Sequence, residues 1–480
     1  MKNKNELIRT RFAPSPTGDL HIGGARTVLF NYLLAKKNHG RFILRIEDTD
    51  TKRNQEEFVN SLHEDLLWLG LKPDESIFQG GNYGPYRQIQ RLEIYQQYIN
   101  KLIKEKKVYY CFCSVEELTQ EKEAYIKREK KINYQYSRKC LGLQEQEFQT
   151  LLQKNISYVL RFKVNQEKSY SFHDLVRGEI IFQGKDIEDF VLFRQNGIPN
   201  YNFACVIDDY LMKISHVLRG EEHLSNTGKQ LVLYEALGWT SPLFGHLSII
   251  LNKEKKKLSK RDKETSQFQL IKQLRETGYL PMAIVNYLLF LGWHPNTTKE
   301  IFSIEEVAQE FDLKNLNKRG AIYSLEKINW YNHYYIQELK SSEFEEYSWE
   351  VLKKIHNLNE NKKEWCKQIS YLFREQLNYF QELILLTSYF FQRPNKQSNI
   401  DRDEIFWLNE FKIELNKLGK WEEEEIKIAL KISVSNIQTS KKPFFLLLRK
   451  MFTGQEKGPE LAKIIFLLGN SEVKERLNNF

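Results

Sequence analysis

His21, with Gly23 and Gly24 close behind it, is the first place in this chain where residue types and spacing could do chemistry. A short strand predicted over Leu7–Phe12 runs into a turn bounded by proline and glycine, and His21 stands at the mouth of an apolar helix predicted over Ile22–Lys36. Glycines let a ligand approach the backbone closely, and the unpaired N–H groups of a helix start favour phosphate. Far downstream, Lys257-Leu-Ser-Lys-Arg261 supplies a second cationic element, with Ser259 and Lys260 inside it. Two separated, phosphate-compatible elements on one β/α chain imply a nucleotide gripped from both sides. Taken alone, His21 could equally be a helix-capping residue and the basic run a solvated loop.

The elements that must hold these residues alternate. Arg41–Ile46 reads as a strand and Gln55–Leu69 as a helix ending at Gly70. That βαβ order implies a parallel sheet with ligand at the carboxyl ends of its strands, where Arg11 to His21 and Glu47-Asp-Thr-Asp50 both fall. From about Cys113 the pattern changes. A charged helix over Val115–Lys131 is followed by strands at Tyr158–Lys163 and Glu179–Gln183 that suit a different, smaller sheet, so this part reads as an insertion. Alternation resumes at Phe190–Phe193, Ile214–Leu218 and His246–Leu251, all expected in the first sheet. Beyond Leu270 the pattern is helical almost throughout, with apolar residues at three and four spacing in Met282–Leu291 and Ile322–Tyr335.

The 480 residues and 41% hydrophobic content describe a globular chain of several folding units. A net charge of +9 points to a polyanionic partner. Five cysteines in this length make no disulfide framework. No apolar stretch reaches membrane-spanning length and Met1–Glu6 is short and polar, so the expectation is a soluble cytoplasmic protein with no cleaved leader and no membrane partner.

The stretch at His21 resembles the "HIGH" signature of class I aminoacyl-tRNA synthetases, and the stretch at Lys257 resembles their "KMSKS" signature. Arg11-Phe-Ala-Pro-Ser-Pro-Thr-Gly18, Arg45-Ile-Glu-Asp-Thr-Asp50, Tyr83-Gly-Pro-Tyr-Arg-Gln88 and Leu218-Arg-Gly-Glu-Glu-His-Leu-Ser-Asn-Thr227 are similar to the glutamyl/glutaminyl subgroup. Gly278–Pro281, Leu325–Trp330, Leu448–Gly454 and Gly458–Leu461 follow in family order, and the helical carboxy-terminal part resembles bacterial glutamyl enzymes. The resemblance implies an α/β fold: a Rossmann-type parallel sheet with an α/β insertion domain, followed by an all-α anticodon-binding region. Its implied segments are a catalytic first half (1–113), an acceptor-end-binding insertion (114–187), a catalytic second half (188–251), a stem-contact domain with the basic loop (252–330) and a helical anticodon-binding domain (331–480).

The same resemblance implies a ligase that makes glutamyl-adenylate from L-glutamate and ATP with Mg2+, then charges tRNA(Glu), with tRNA(Gln) as an open second acceptor. His21, Lys257 and Lys260 are the expected catalytic residues. Gly23, Gly24, Glu222, Ile250, Ser259 and Arg261 join them around ATP. Arg11 and Arg219 are expected to face the side-chain carboxylate of glutamate, with Tyr201 adding a hydroxyl, Ala13, Ser15 and Cys205 lining the pocket, and Glu47 pairing with the ammonium. A guanidinium suits a buried carboxylate because its planar fork pairs bidentately. Cys205 stands where family members often carry Asn, and Asp262-Lys263 departs from the usual residue-then-Gly after the basic signature. Cys111, Cys113 and Cys140 resemble the zinc-binding region of some bacterial glutamyl enzymes, but the family's fourth ligand falls at Gly142. The sequence therefore favours metal-free cysteines over zinc, with His173 as a donor the spacing does not require. Arg449 is the expected anticodon-facing residue. A monomer is the family default, a tRNA-dependent amidotransferase is a partner the family allows, and a tRNA-binding paralogue without catalysis is the alternative.

Overall fold

Strand β1 (Arg9–Phe12) alternates, so that Arg9 and Arg11 point to one side and Thr10 and Phe12 to the other. It belongs to a computed structural model that describes residues 7–50, 54–130, 134–258, 268–394, 401–437 and 440–478. Strand β2 (Arg41–Leu44) pairs with β1 in parallel, Arg9 opposite Arg41 and Phe12 opposite Leu44. The crossover between them is helix α1 (Ile22–Lys37), which buries Ile22, Val28, Leu29, Phe30 and Leu33 and carries Lys36 and Lys37 in its last turn, where the helix dipole favours cations. Helices α2 (Glu56–Trp68) and α3 (Leu92–Lys104) follow.

After α3 come strand β3 (Val108–Cys111), helices α4 (Val115–Glu129) and α5 (Glu145–Gln153), and strands β4 (Val159–Phe162), β5 (Ser169–Asp174), β6 (Gly178–Gln183) and β7 (Val191–Arg194). Two predicted placements change here. Phe190–Phe193, expected in the first sheet, lies in β7, which runs antiparallel to β4 in a sheet of order β3-β4-β7. The segments around 158–163 and 179–183 do not share one sheet: β4 joins β3 and β7, while β6 forms a hairpin with β5. Local propensity marks each strand, but it carries no information on which partner completes its hydrogen bonds.

Helix α6 (Tyr201–Leu211), strand β8 (His216–Gly220), helix α7 (Leu224–Leu237) and strand β9 (Leu243–Leu247) restore the parallel pattern. Strand β8 pairs with β9 from His216/Leu243 to Gly220/Leu247, and lies beside β1, where Ser215 N–H donates to the Arg9 carbonyl. The strand expected over 246–251 is two: β9 ends at Leu247, and β10 (Ile250–Leu251) pairs instead with β11 (Ala321–Ile322).

The chain divides into two compact units, residues 1–274 with 284–325, and residues 275–283 with 326–480. The second is all helical among its described residues. Its helix Leu325–Glu338 buries Ile328, Tyr331, Asn332 and Ile336 along one face. Helices Arg402–Asn416, Glu423–Asn436, Lys441–Thr453, Leu461–Leu468 and Asn470–Asn478 enclose a core that includes Phe411, Leu430, Phe444, Phe452 and Ile465.

Candidate functional site

The carboxyl ends of β1, β2 and β8 rim a cavity of about 470 Å3. Arg11, Ala13, Ser15, Gly23, Gly24, Glu47, Tyr201, Arg219 and Glu222 all line it, so nine residues expected from separate motifs meet at one place. Beyond Ser15, Glu47 and Tyr201 a second cavity of about 510 Å3 continues, lined by Thr49, Asp50, Arg161 and Arg194.

Charge beneath the floor is closely matched. The fully buried Arg45 donates to Asp209 at 2.7 Å and to Glu47 at 3.0 Å. Asp208 accepts from Arg91 at 2.6 Å, Gln88 at 2.9 Å and Tyr95 at 2.8 Å. Arg11 reaches Asp209 with two longer contacts of 3.4 Å. Burial raises the Asp209 carboxyl, but Arg11 and Arg45 outweigh it and hold the group below its ordinary value. Burial dominates at Glu47, whose carboxyl is raised although Arg45 opposes it. A buried ion is tolerated only when paired and hydrogen-bonded, and these three guanidiniums and three carboxylates meet that condition.

Arg219 does not. The residue is 4% exposed, and its partners are all neutral: Thr227 at 2.7 Å, Gln230 at 2.8 Å, His246 at 3.3 Å and Tyr201 at 3.4 Å. Among the described residues no carboxylate pairs with it. A buried guanidinium at a cavity wall with no counter-ion can receive an anion that arrives from outside. His223 beside it is pushed down to about 4 by burial, with the Arg219 charge acting the same way, so it adds no positive charge.

His21 is the N-cap of α1: its Nδ1 accepts from Gly23 N–H at 3.2 Å, which leaves Nε2–H to meet Gln269 Oε1 at 3.0 Å. His21 thus fills the capping role. A Cβ on Gly24 would stand 3.0 Å from Leu20, so packing against Leu20 disfavours a side chain there, whereas Gly23 has ordinary room. Cys205 is behind the wall and not in it. Its Sγ donates to Asp209 at 3.6 Å and accepts from Arg45 at 3.7 Å, and burial pushes the thiol up to about 12. Ile250 is buried, and its carbonyl accepts from Leu258 N–H at 2.9 Å, closing a turn that leaves Lys257 exposed. Ser259, Lys260, Arg261, Asp262 and Lys263 lie outside the described residues.

Cys111, Cys113 and Cys140 converge, their sulfurs all within 4.8 Å of one another and Cys113 and Cys140 3.5 Å apart. Ligand sulfurs on a tetrahedral zinc stand about 3.8 Å apart, given bonds of about 2.3 Å. The fourth donor expected at position 142 is a glycine, but the phenol of Tyr136 lies 3.4 Å from Cys111 Sγ and 3.5 Å from Cys113 Sγ. His173 is elsewhere, exposed on β5 and bonded to Glu179 at 2.7 Å. The Cys3Tyr set suits zinc, and Cys111 is held well below the usual thiol range, chiefly by its hydrogen bond with Cys140.

Residues 7–330 match the family described as tRNA synthetases class I (E and Q), catalytic domain, and residues 342–480 match an anticodon binding domain. The chain belongs to the class I tRNA synthetases of the glutamate and glutamine group. It is 44% identical to the glutamate–tRNA ligase of Halalkalibacterium halodurans, over 98% of this chain and 99% of that one. It is 40% identical to the Bacillus subtilis glutamate–tRNA ligase, with the same coverage. A crystal structure of the Elizabethkingia meningosepticum glutamate tRNA ligase, in complex with its amino acid, superposes with a TM-score of 0.86 at 35% identity, covering 98% of this chain and 99% of that one.

Several residues that support the synthetase's pocket were not singled out from its sequence. Arg45 sits inside a quoted motif, but its role in balancing Glu47 and Asp209 needs their positions in space. Thr227 closes another quoted motif, but Gln269, Gln230 and His246 touch the site only through tertiary contacts, and nothing in their spacing marks them. In the helical unit Arg449 is half-buried, donating to the Pro459 carbonyl at 2.8 Å with Nη1 enclosed and unpaired. Trp330 and Tyr334 are the exposed aromatics of helix Leu325–Glu338, whereas Tyr331 is core.

Proposed function

We propose that this synthetase activates L-glutamate with ATP and transfers it to the 3′-terminal adenosine of tRNA(Glu). The observation that carries the reading is Arg219, a buried cation whose partners are all neutral and which faces the cavity. The side-chain carboxylate of glutamate would supply the missing counter-ion, received by Nη1 and by the Tyr201 hydroxyl. Arg11 already has Asp209, so its part is to hold the local field positive. A neutral glutamine amide would leave Arg219 buried without an anion, and sites built this way discriminate strongly. Glu47 would receive the ammonium, exchanging part of its contact with Arg45.

In the first step the α-carboxylate attacks the α-phosphorus of ATP and pyrophosphate leaves. In the second the 2′-hydroxyl of the terminal adenosine attacks the glutamyl carbonyl carbon, and AMP leaves with its phosphate taking up the hydroxyl proton. No covalent bond to the protein is needed, so the protein's work is positioning and charge stabilisation. Gly23 and the start of α1 would lie against the phosphates, with His21 Nε2–H turning from Gln269 to a phosphate oxygen. Lys257, with Lys260 and Arg261, would steady the departing pyrophosphate. Mg2+, held chiefly by the phosphates, would neutralise their charge. Cys111, Cys113, Cys140 and Tyr136 would hold a structural zinc in the insertion, which would grip the acceptor end. In the helical unit, residues 342–480 would contact the anticodon, with Arg449 among the contributing side chains.

Charging with labelled glutamate tests the reading. The parent protein is expected to charge tRNA(Glu), and Arg219→Gln to lower kcat/KM for glutamate about a thousandfold. An unchanged value in that variant would remove Arg219 from the pocket chemistry. The same assay with tRNA(Gln) reads whether a second acceptor is used.

A further inference from the structure

Behind Arg219 lies a buried chain of polar groups that runs out of the pocket to the hairpin of β5 and β6. Arg219 Nε donates to His246 Nε2 at 3.3 Å, and His246 Nδ1 contacts Asp174 Oδ2 at 2.5 Å. Both His246 and Asp174 have side chains that are 0% exposed. Asp174 is anchored in turn: its Oδ1 accepts from the backbone N–H groups of Val176 and Arg177, each at 2.9 Å, and from His246 N–H at 3.3 Å. Leu175 N–H donates to the Phe244 carbonyl at 2.9 Å, and the Phe172 ring packs edge-on against Phe244, so the hairpin end is fastened to β9.

The geometry decides where the imidazole proton sits. A carboxylate can only accept, so the ring proton is on Nδ1 and the lone pair is on Nε2. That lone pair is what an Arg219 Nε–H requires. The same nitrogen lies 2.9 Å from the Thr227 hydroxyl, whose oxygen accepts from Arg219 Nη2 at 2.7 Å. His246, Thr227 and Gln230 therefore hold the guanidinium along Nε and Nη2 and turn Nη1 toward Tyr201 and the cavity.

We propose that Asp174 and His246 are positioning residues for substrate selection, fixing the Arg219 fork in the plane that receives the side-chain carboxylate of the amino acid. The inference rests on the reading of Arg219 given above and deepens it. A protonated His246 would set Nε2–H against Nε–H of Arg219 and turn the fork. The charged groups that face His246 are Asp174 on β5, Arg219 on β8 and Arg177 in the following turn, with the neutral His223 nearby. Burial leads in holding the imidazole below its ordinary value, so the neutral form that the arrangement needs is the one present near neutral pH.

The experiment compares His246→Phe with His246→Gln in steady-state charging, varying glutamate, ATP and tRNA(Glu) in turn. Phenylalanine fills the space without an acceptor, whereas glutamine offers Oε1 close to where Nε2 stands. The expected result is that His246→Phe raises KM for glutamate about tenfold, the cost of one buried hydrogen bond to a charged group, with KM for ATP and tRNA unchanged. His246→Gln is expected to recover most of that loss. In the parent, KM for glutamate should rise as pH falls below the ordinary histidine value of 6.5, and this rise should be absent in His246→Gln. Equal glutamate KM in parent and both variants overturns the proposal, as does an equal loss for all three substrates in both. If His246→Phe does not fold, the comparison of parent and His246→Gln pH profiles decides, and identical profiles overturn it. Arg219→Gln separates the two levels. A raised glutamate KM there with none in the His246 variants sinks only this inference, and no change there sinks the reading beneath it as well.

Discussion

Tyr136 shows how one side chain alters the reading of a site. It precedes Cys140 by four residues, while the position two residues after Cys140 is a glycine. Its hydroxyl sits among all three sulfurs and also accepts from Cys140 N–H at 3.1 Å. Tyr136 stands in a polar stretch, between Gln135 and Ser137, that marks it neither as core nor as ligand, and only the fold sets its hydroxyl against the sulfurs. Zinc affinity of the purified protein, read by competition with a chromophoric chelator, should fall about tenfold or more in Tyr136→Phe. An affinity equal to the parent's would exclude the phenol as a ligand. Cys205 makes the opposite point. Its place in a pocket motif suggests contact with substrate, but its thiol is spent on Asp209 and Arg45 behind the wall.

Helix α1 is tied down by one buried polar residue, Arg26. Arg26 is 3% exposed in its first turns, and donates to the Leu291 carbonyl at 2.8 Å and to the Ser248 carbonyl. These contacts tie the helix bearing Gly23 and Gly24 to the segment just before β10, and β10 leads to Lys257. Burial pulls the guanidinium down to about 10, with the Glu222 charge opposing it. Arg26→Met keeps much of the volume but leaves two buried carbonyls unpaired. It should lower stability by about 2 kcal/mol, seen as a shift of the urea midpoint, and raise KM for ATP. A stability equal to the parent's would mean that water or a backbone shift satisfies both carbonyls.

At the scale of the molecule, the buried carboxylates set the acid limit. The folded protein holds Asp209 and Asp174 below their unfolded value of 3.8, Asp209 through Arg11 and Arg45 and Asp174 through His246, against the cost of burial in both. A carboxyl that is lowered in the folded state contributes stability above its unfolded value, and that contribution is lost as pH falls through the folded value. Glu47 is raised and works the other way, regaining stability on acidification. Acid unfolding, followed by circular dichroism, should therefore begin below about pH 4. A transition centred above pH 5 would mean that these pairs do not hold in solution.

How much of this was legible beforehand depends on the range of the interaction. The strands and helices near the amino terminus follow from hydrophobic period and turn residues, which act within a few positions, and β1, α1 and β2 lie close to where the pattern puts them. His21 was legible from its place at a glycine-bearing helix start, which suits phosphate, whereas Arg11, Glu47 and Arg219 were legible through the resemblance of their motifs to the glutamyl/glutaminyl subgroup. What only the tertiary structure decided are the pairings between distant segments. It assigned β7 to the antiparallel sheet, split the 246–251 strand in two, moved Cys205 out of the pocket wall and brought Tyr136 to the cysteines. It also left Arg219 without a counter-ion while giving Arg11 Asp209. The physical reason is that burial and charge balance are properties of position in space, and residues 198 apart in sequence, such as Arg11 and Asp209, carry no local mark of their meeting.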